Sequence, residues 1–202
     1  MRNYQKLRSI LNVLVHGLVR DKLRLKRNIP EEEGEVTIIF ISIHQFEELD
    51  KIYHNSGNEL LQTLSQIYNT FDQLSDQYGL QCVEILGKTY MASGGLKSAE
   101  KKMDEKLLNK HHSVRVTDFA MEVLNSVKNI YLKNSTNLQV SIGIHTGPVY
   151  SAIIGELKPQ FTLSGETVKK TGRICIAAPP NKVVISKQTK HFLELYTNNY
   201  HF

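Results

Sequence analysis

Five polar residues in this 202-residue chain have side chains that could bind or act on a ligand: Ser42, Glu84, Lys88, Lys169 and Arg173. A guanidinium such as that of Arg173 suits the charge of a phosphate group, and the ammonium of Lys169 also attracts anions. The carboxylate of Glu84 can accept hydrogen bonds from two adjacent N–H groups. Ser42 offers a metal ion only a weak neutral ligand, and Lys88 repels one. The charge of Lys88 is opposite to that of phosphate, so the sequence leaves open whether this lysine binds phosphate without a metal ion.

Short apolar strands must position Ser42, Glu84 and Lys88. Val36–Ile43 is almost continuously apolar and β-branched, which predicts a buried strand. The next two strands are predicted as a hairpin, Leu80–Leu86 and Thr89–Ser93, which turns at Gly87-Lys88. Further strands are predicted over Leu138–His145, Val149–Ile154, Phe161–Leu163 and Val183–Ile185, the first two joined by a Thr146-Gly147-Pro148 turn and the last at a sheet edge.

Apolar residues at three- and four-residue steps predict long helices over Gly57–Tyr78 and Val114–Leu132. Shorter helices are predicted over Glu166–Ile176 and Lys187–Tyr196, and the charged run 97–112 is predicted as a mobile surface loop with a helical turn. The order of elements predicts an α+β domain, a ferredoxin-like split βαβ sheet with helices on one face. Many functions use this architecture, so the fold alone predicts no chemistry.

Five segments together resemble the catalytic domain of class III nucleotide cyclases. They are Val36-Thr-Ile-Ile-Phe-Ile-Ser-Ile-His-Gln-Phe46, Val83-Glu-Ile-Leu-Gly-Lys-Thr-Tyr-Met91, Val140-Ser-Ile-Gly-Ile-His-Thr-Gly-Pro-Val149, Lys158-Pro-Gln-Phe161 and Gly165-Glu-Thr-Val168. The resemblance covers roughly residues 33 to 196. It implies the class III cyclase fold and a family activity that converts ATP or GTP into a 3′,5′-cyclic nucleotide, a phosphorus–oxygen lyase reaction.

The resemblance also implies where metal ligands should lie. In the family, two divalent ions held by two aspartates activate the ribose 3′-oxygen and neutralise the polyphosphate. The two aspartate positions carry Ser42 and Lys88 in this chain, so we expect no metal site and no Mg²⁺ or Mn²⁺ unless a partner supplies carboxylates. Glu47, Glu48 and Asp50 follow the first motif, but an exposed helix face explains them. The chain most resembles the second domain of pseudo-heterodimeric cyclases, which lacks the aspartates.

That second domain supplies the other half of a site between two subunits. By resemblance, Glu84 and Thr162 occupy the base-reading positions, where a glutamate suits guanine N1–H and N2–H₂. Arg173 occupies the position of the transition-state arginine, and Lys169 replaces an asparagine. Each residue has a plain alternative: Glu84 as an exposed strand residue, Arg173 paired with Glu166, and Lys169 on a solvated helix face. A C-terminal hairpin with a further phosphate-clamping lysine is expected to be missing after Phe202.

The distribution of charge and the positions of the cysteines limit what the N-terminal segment, the partners and the compartment can be. The first 30 residues carry a net charge of +7 and the rest of the chain −2. Residues 1–32 are predicted as a basic, amphipathic lead-in helix and a Pro30–Gly34 linker, followed by a cyclase homology domain over 33–202. No apolar run is long enough for a membrane span, nucleic acid is not expected as a partner, and Cys82 and Cys175 are expected as buried free thiols. These features favour a cytoplasmic protein.

Three functions follow from the sequence. The first is a degenerate cyclase homology domain, inactive alone, that serves as a regulatory or scaffold partner and retains GTP or ATP binding at most weakly. The second is the non-metal half of a heterodimeric guanylyl or adenylyl cyclase, with guanine favoured by Glu84. The third is a purely structural component of a large assembly. Metal-dependent activity with an aspartate-bearing cyclase-domain partner separates the second function from the others.

Overall fold

The computed structural model describes residues 30–53, 56–101, 103–155 and 159–200. The predicted lead-in helix lies outside these residues. The strands are β1 (Glu31–Ile43), β2 (Gln81–Leu86), β3 (Thr89–Gly94), β4 (Val140–Ile154), β5 (Gln160–Ser164) and β6 (Lys182–Ile185). The helices are α1 (Phe46–Ile52), α2 (Gly57–Gln77), α3 (Lys97–Glu100), α4 (Glu105–Leu108), α5 (His112–Val127), α6 (Glu166–Ala177) and α7 (Lys187–Tyr196).

The strands of the described residues form one mixed sheet in the order β2-β3-β1-β4-β5, with every neighbouring pair on this path antiparallel. β6 pairs with the first half of β4 in parallel orientation. The predicted hairpin is confirmed, since β2 and β3 enclose a two-residue turn at Gly87 and Lys88. Gly87 has φ 55°, a backbone conformation that favours glycine, which explains why glycine begins this turn.

Alternating side chains of β1 face two apolar cores. Ile39 and Ile41 point toward the larger core, which packs under α2 and α5. Val36 and Ile38 point to a smaller core with Phe161 of β5. The α+β class is confirmed, and the two long helices share one face as expected. However, α6 lies on the opposite face, so the sheet carries helices on both sides.

The predicted Pro30–Gly34 linker is wrong, because β1 begins at Glu31 and pairs with β4 from Ser151 onward. Glu33 is buried, with 3% of its surface exposed. Its carboxylate accepts hydrogen bonds from the Ser151 hydroxyl at 2.5 Å and from the Lys97 backbone N–H at 2.9 Å. The acidic run indicated a solvated linker, but these partners from distant segments satisfy the carboxylate inside the fold.

The predicted turn at Thr146-Gly147-Pro148 is also wrong, since β4 is one strand of 15 residues. β1 pairs along both of its halves, and Pro148 lies opposite Glu35. On its other edge, β4 pairs with β6 over 141–144 and with β5 over 150–154. The Pro148 carbonyl accepts a hydrogen bond from Thr167 of α6 at 2.7 Å, so it points away from β1 into the gap between β5 and β6. Because N–H and C=O of one strand residue point the same way, the missing N–H breaks no ladder bond there.

The charged run after β3 contains two one-turn helices, α3 and α4, and α5 ends at Val127, earlier than predicted. The buried side chain of Arg115 anchors this region. Its guanidinium pairs with Glu100 and donates to the backbone carbonyl of Gly79 at 2.8 Å. A buried guanidinium needs such partners, so Arg115 fixes the charged segment against the end of α2.

Candidate functional site

The structure brings Ser42 and Lys88 together at one end of the sheet. Ser42 pairs with Thr89 in the register between β1 and β3, and the backbone N–H of Ile43 donates to the Lys88 carbonyl at 2.9 Å. The hydroxyl of Tyr68 on α2 donates to the Gly87 carbonyl at 2.5 Å and thereby holds the turn against α2. The two positions that the resemblance assigns to metal aspartates are therefore neighbours.

The ammonium of Lys88 already has a carboxylate partner. It lies 2.8 Å from Glu47 on α1, which begins just after β1 because Gln45 adopts a left-handed conformation with φ 53°. The hydrogen bond from Lys88, followed by a backbone hydrogen bond and the charge of Lys88, holds the pKa of Glu47 below its usual value. Because 45% and 73% of the two side chains are exposed, the pair contributes little to stability. Its consequence is local, since the pair holds the Lys88 ammonium at a position that the resemblance assigns to an aspartate.

These residue types do not fit Mg²⁺ or Mn²⁺. A divalent ion at this place would meet the hydroxyl of Ser42 and the ammonium of Lys88, where charged oxygen ligands are needed. Among the described residues, no three His, Cys, Asp or Glu side chains come together in a metal-binding arrangement. No step of metal chemistry can be assigned to the residues of this site.

Ser42, Glu84 and Lys88 form the polar rim of a cleft of about 330 Å³. The remaining wall is mostly apolar; it comes from Phe40, Leu86, Thr89 and Met91 of the sheet and from Gly172, Cys175 and Ile176 of α6. Ile176 is 88% exposed at the mouth of the cleft. The two charged residues that line the cleft, Glu84 and Lys88, bear opposite charges, so the lining carries no net charge. This cleft cannot by itself balance the charge of a triphosphate.

Two glycines allow α6 to approach the sheet closely enough to form this wall. A Cβ atom on Gly143 of β4 would lie 2.3 Å from the backbone nitrogen of Cys175, a distance that real Cβ atoms do not reach. A Cβ on Gly172 would lie 3.1 Å from the Phe40 ring. Burial raises the pKa of the Cys175 thiol to about 11, so the thiol at the base of the cleft stays protonated and unreactive.

Lys169 and Arg173 lie on α6 but do not line the cleft. Both side chains reach the same carboxylate, Glu166, at 2.9 Å and 3.6 Å respectively. The hydrogen bond and charge of Lys169, and then the charge of Arg173, lower the pKa of Glu166. The plain alternative for Arg173, a pairing with Glu166, is thus present. Since 71% of the Arg173 side chain is exposed, the guanidinium is nevertheless open to a ligand.

Thr162 lies on β5 opposite Ala152, half-buried and apart from the cleft wall. Its strand approaches β2, which carries the exposed Glu84, although the two strands are at opposite ends of the sheet path. The structure therefore divides the predicted site residues into a cleft group, Ser42, Glu84 and Lys88, and an outer group, Thr162, Lys169 and Arg173.

Sequence reasoning missed the partner of Lys88 and the apolar wall of the cleft. The sequence predicts Glu47 as part of a solvated helix face. Its position five residues after Ser42 is the feature that could have indicated a contact with Lys88. The wall residues Phe40 and Cys175 carry no chemical signal, because an apolar residue in a strand or helix normally indicates core. Both cysteines are free, and Cys175 is buried as expected, but Cys82 is only half-buried. Burial raises the pKa of Cys82 to about 12.

A mixed sheet with this strand order, with helices on both faces and the two strand motifs at one end, agrees with the nucleotide cyclase catalytic domain that the motifs resemble. A sequence model of the adenylate and guanylate cyclase catalytic domain matches residues 29–202. The chain belongs to this family. No helix within the described residues combines the length and apolar character needed to cross a membrane.

Curated relatives are guanylyl cyclases of much greater length. The chain is 26% identical over 185 residues to a membrane guanylyl cyclase of Dictyostelium discoideum, covering 92% of this chain and 12% of that protein. It is 28% identical over 180 residues to guanylyl cyclase C of Mus musculus, covering 88% of this chain and 16% of the relative. The chain thus spans less than a fifth of either protein.

Solved cyclase domains share the fold. The guanylate cyclase domain of RhGC from Catenaria anguillulae, solved in complex with GTP, superimposes with a TM-score of 0.71 at 23% identity, over 81% of this chain and 84% of that chain. The adenylyl cyclase CyaB from P. aeruginosa gives a TM-score of 0.68 at 19% identity, over 82% and 83% of the two chains. At these identities the likeness establishes the fold alone.

Proposed function

We propose that this chain is a degenerate cyclase homology domain that acts in the cytoplasm as a regulatory or scaffold partner of another cyclase domain. In this proposal residues 33–202 form the domain and 1–32 a basic lead-in. The observation that carries it is the Glu47–Lys88 ion pair at 2.8 Å, beside Ser42. By the resemblance, an ammonium with its own carboxylate partner stands where a cyclase carries a metal-binding aspartate, and the lining of the adjacent cleft is mostly apolar with no net charge.

A cyclase assay of the purified chain alone tests whether it has lost catalytic activity, as the proposal requires. We expect no cyclic GMP or cyclic AMP from the chain with GTP or ATP, in Mg²⁺ or in Mn²⁺. Metal-dependent product formation by the chain alone would contradict the proposal. Calorimetric titration with non-hydrolysable GTP and ATP analogues, with and without Mn²⁺, then measures what nucleotide recognition the chain retains by itself.

The non-metal half of a heterodimeric cyclase is the second candidate, and the exposure of Arg173 and Glu84 favours it. A guanidinium that is 71% exposed is available to phosphate oxygens bound across an interface. In such a dimer the partner would supply the carboxylates for Mg²⁺ or Mn²⁺, Thr162 would join Glu84 in reading the base, and Lys169 would attract phosphate in place of an asparagine.

Mixing with an aspartate-bearing cyclase domain distinguishes the two candidates. If the chain is a catalytic half, the mixture makes cyclic nucleotide at a rate that Arg173→Ala lowers by at least about tenfold, the effect of losing a transition-state charge contact. Lys170→Ala on the same helix is the matched control and should change the rate little. Glu84→Lys should shift the base preference from guanine toward adenine. A mixture that stays inactive while the two domains associate supports the regulatory partner, and absence of both association and nucleotide binding supports a structural component.

A further inference from the structure

A continuous chain of hydrogen bonds joins two histidines on opposite faces of the sheet. Six side chains form this wire, in the order His112, Thr37, Thr146, Thr189, Ser186 and His145. The distances between successive polar atoms are 2.8, 2.9, 3.1, 3.1 and 2.7 Å. Five of the six residues are at least nine-tenths buried, and His112 is half-buried.

The wire passes from one face of the sheet to the other around the end of β6. His112 is the first residue of α5 and contacts Thr37 of β1 on the face of the larger core. Ser186 follows β6 and caps α7, where its hydroxyl accepts the backbone N–H of Thr189 at 3.1 Å. His145 and Thr146 are adjacent in β4, so their side chains point to opposite faces, and hydrogen bonds through Ser186 and Thr189 connect the two.

The number of protons in the wire links the two histidine tautomers. Each hydroxyl has one proton and donates to one neighbour only, so all of the hydroxyls must point in the same direction for every contact to hold a proton. If they point toward His112, its Nδ1 accepts and the Nδ1 of His145 donates. If they point toward His145, the roles reverse. With both rings neutral, one Nδ1 of the two carries a proton and the other does not.

The surroundings of His145 select between these two arrangements. A Cβ atom on Gly147 would lie 2.7 Å from the Thr167 hydroxyl of α6 and 3.7 Å from the His145 Nε2 atom, so Nε2 faces α6. Burial, and then the positive charge of Lys170 on that helix, lower the pKa of His145 and keep the ring neutral. A nearby ammonium favours a bare, electron-rich Nε2, which puts the proton on Nδ1 and directs the wire toward His112.

The environment of His112 is compatible with that direction. Burial, and then the charges of His111 and Arg115, lower the pKa of His112 to about 3, so this ring is neutral as well. The ring packs against Gly95, where a Cβ atom would lie 2.8 Å from its Cδ2 atom. At neutral pH neither ring takes up a second proton, so neither ring can donate from both of its nitrogen atoms when the hydroxyl groups point the other way.

We propose that this wire transmits a change of charge at α6 to the other face of the sheet, by reversing the direction of its hydroxyl protons and exchanging the tautomers of His145 and His112. A negative charge placed beside the His145 Nε2 atom favours a proton there, which the ring takes from water as its Nδ1 proton passes to Ser186. Each hydroxyl passes its own proton to the next oxygen, Thr37 passes its proton to the His112 Nδ1 atom, and the His112 Nε2 atom releases one proton to water. No covalent bond other than N–H and O–H is exchanged, and the proton count is unchanged. The inference is independent of any catalytic role of the chain.

Long-range ¹H–¹⁵N correlation spectra of the histidine side chains test the proposal, because they distinguish a protonated from a bare ring nitrogen. They are recorded at about pH 8.5, two units above the ordinary histidine pKa, where all of the rings are neutral. In the wild-type chain we expect the proton on Nδ1 of His145 and on Nε2 of His112. In Lys170→Glu we expect both rings to switch tautomer. Lys51→Glu, an exposed lysine on α1, is the matched charge control and should switch neither.

Breaking the wire in the middle isolates the coupling from general effects on the fold. Thr37→Val in the Lys170→Glu background should still switch His145 but leave His112 unswitched, whereas Thr37→Ser keeps a hydroxyl and should restore the response. Thr189→Val provides a second break if Thr37→Val does not fold. Thr117→Val is the control, because that buried hydroxyl donates within its own helix at 2.8 Å. Identical tautomers in the wild type, or a His145 switch that leaves His112 unchanged with the wire intact, would overturn the proposal.

Discussion

Replacing Ser42 and Lys88 together with aspartate should create a divalent-cation site in this chain. The two positions are already neighbours, because the Ile43 N–H donates to the Lys88 carbonyl at 2.9 Å. The double change adds two carboxylates and removes the ammonium that now pairs with Glu47, so Glu47 becomes available as a third acidic group. The fold needs no rearrangement to bring these groups together, since the β1–β3 register already does so.

The double substitution makes the site more negative by three charge units, one from Ser42→Asp and two from Lys88→Asp. This change sets the expected gain in Mn²⁺ affinity. At about 4 Å in bulk water, a divalent ion gains about 2 kcal/mol per negative charge, so three units correspond to about 6 kcal/mol. The Lys88 side chain is 45% exposed, and salt screens exposed charges, so we retain about half of this value. A gain of about 3 kcal/mol is an increase of about two orders of magnitude in affinity.

The matched control replaces the same residues with neutral ones, Ser42→Asn and Lys88→Gln. This pair removes one unit of repulsion only and should strengthen Mn²⁺ binding by about fivefold, or about 1 kcal/mol on the same reasoning. Free Mn²⁺ is measured by electron paramagnetic resonance during titration, and circular dichroism checks that each variant is folded. A folded double-aspartate variant that binds Mn²⁺ no better than the neutral control would refute the assignment of these positions as adjacent metal-ligand sites.

Two further predictions concern the packing of α6 on the sheet and the ion pair beside the cleft. Gly143→Ala should destabilise the chain by about 1–3 kcal/mol or more in urea unfolding, because its Cβ atom would lie 2.3 Å from the Cys175 nitrogen, whereas Gly57→Ala, with no heavy atom within 4 Å, should not destabilise it. In Lys88→Met the pKa of Glu47 should rise toward its ordinary value, measured by ¹³C-carboxyl titration, because the lysine hydrogen bond and charge hold it down. A carboxyl group whose folded-state pKa is lowered stabilises the fold above its unfolded pKa, and this contribution disappears as the pH falls through the folded value. The wild type should therefore lose slightly more stability on acidification than Lys88→Met; an unchanged Glu47 titration would contradict the ion pair.

The sequence predicts correctly those helices and strands whose residue pattern reflects local chemistry alone. The hairpin around Gly87 and the helix Lys187–Tyr196 agree with their sequence patterns, because a glycine at a two-residue turn and an apolar stripe between caps depend on local chemistry. The errors lie where distant segments decide. Pro148 indicated a turn, yet it stands inside β4, because neither β5 nor β6 pairs with that stretch of the strand. Glu33 indicated a solvated linker, yet Ser151 and Lys97 bury it.

The roles of the site residues stay predictions, while the structure shows which of these residues lie together. The sequence motifs indicated Ser42, Lys88 and Glu84, and the structure places all three around one cleft. Arg173, which the resemblance assigns to the same half-site as Glu84, lies outside the cleft wall and contacts Glu166. A motif identifies the strand or helix that carries a residue, while the packing of α6 on the sheet determines which cavity that residue reaches.

The sequence by itself determined the α+β class, the family and the residue types at the two positions that the resemblance assigns to metal aspartates. Those features depend on periodicity and on side-chain identity, which are properties of the chain in any environment. Only the tertiary structure decided that Lys88 pairs with Glu47, that α6 packs against Gly143 beside a mostly apolar cleft, and that four hydroxyl side chains connect His112 with His145. Except for Ser186 and Thr189, which are three positions apart, the contacting residues are 32 to 109 positions apart in the chain. Hydrogen bonds and ion pairs of that kind depend on distances that only the folded backbone sets.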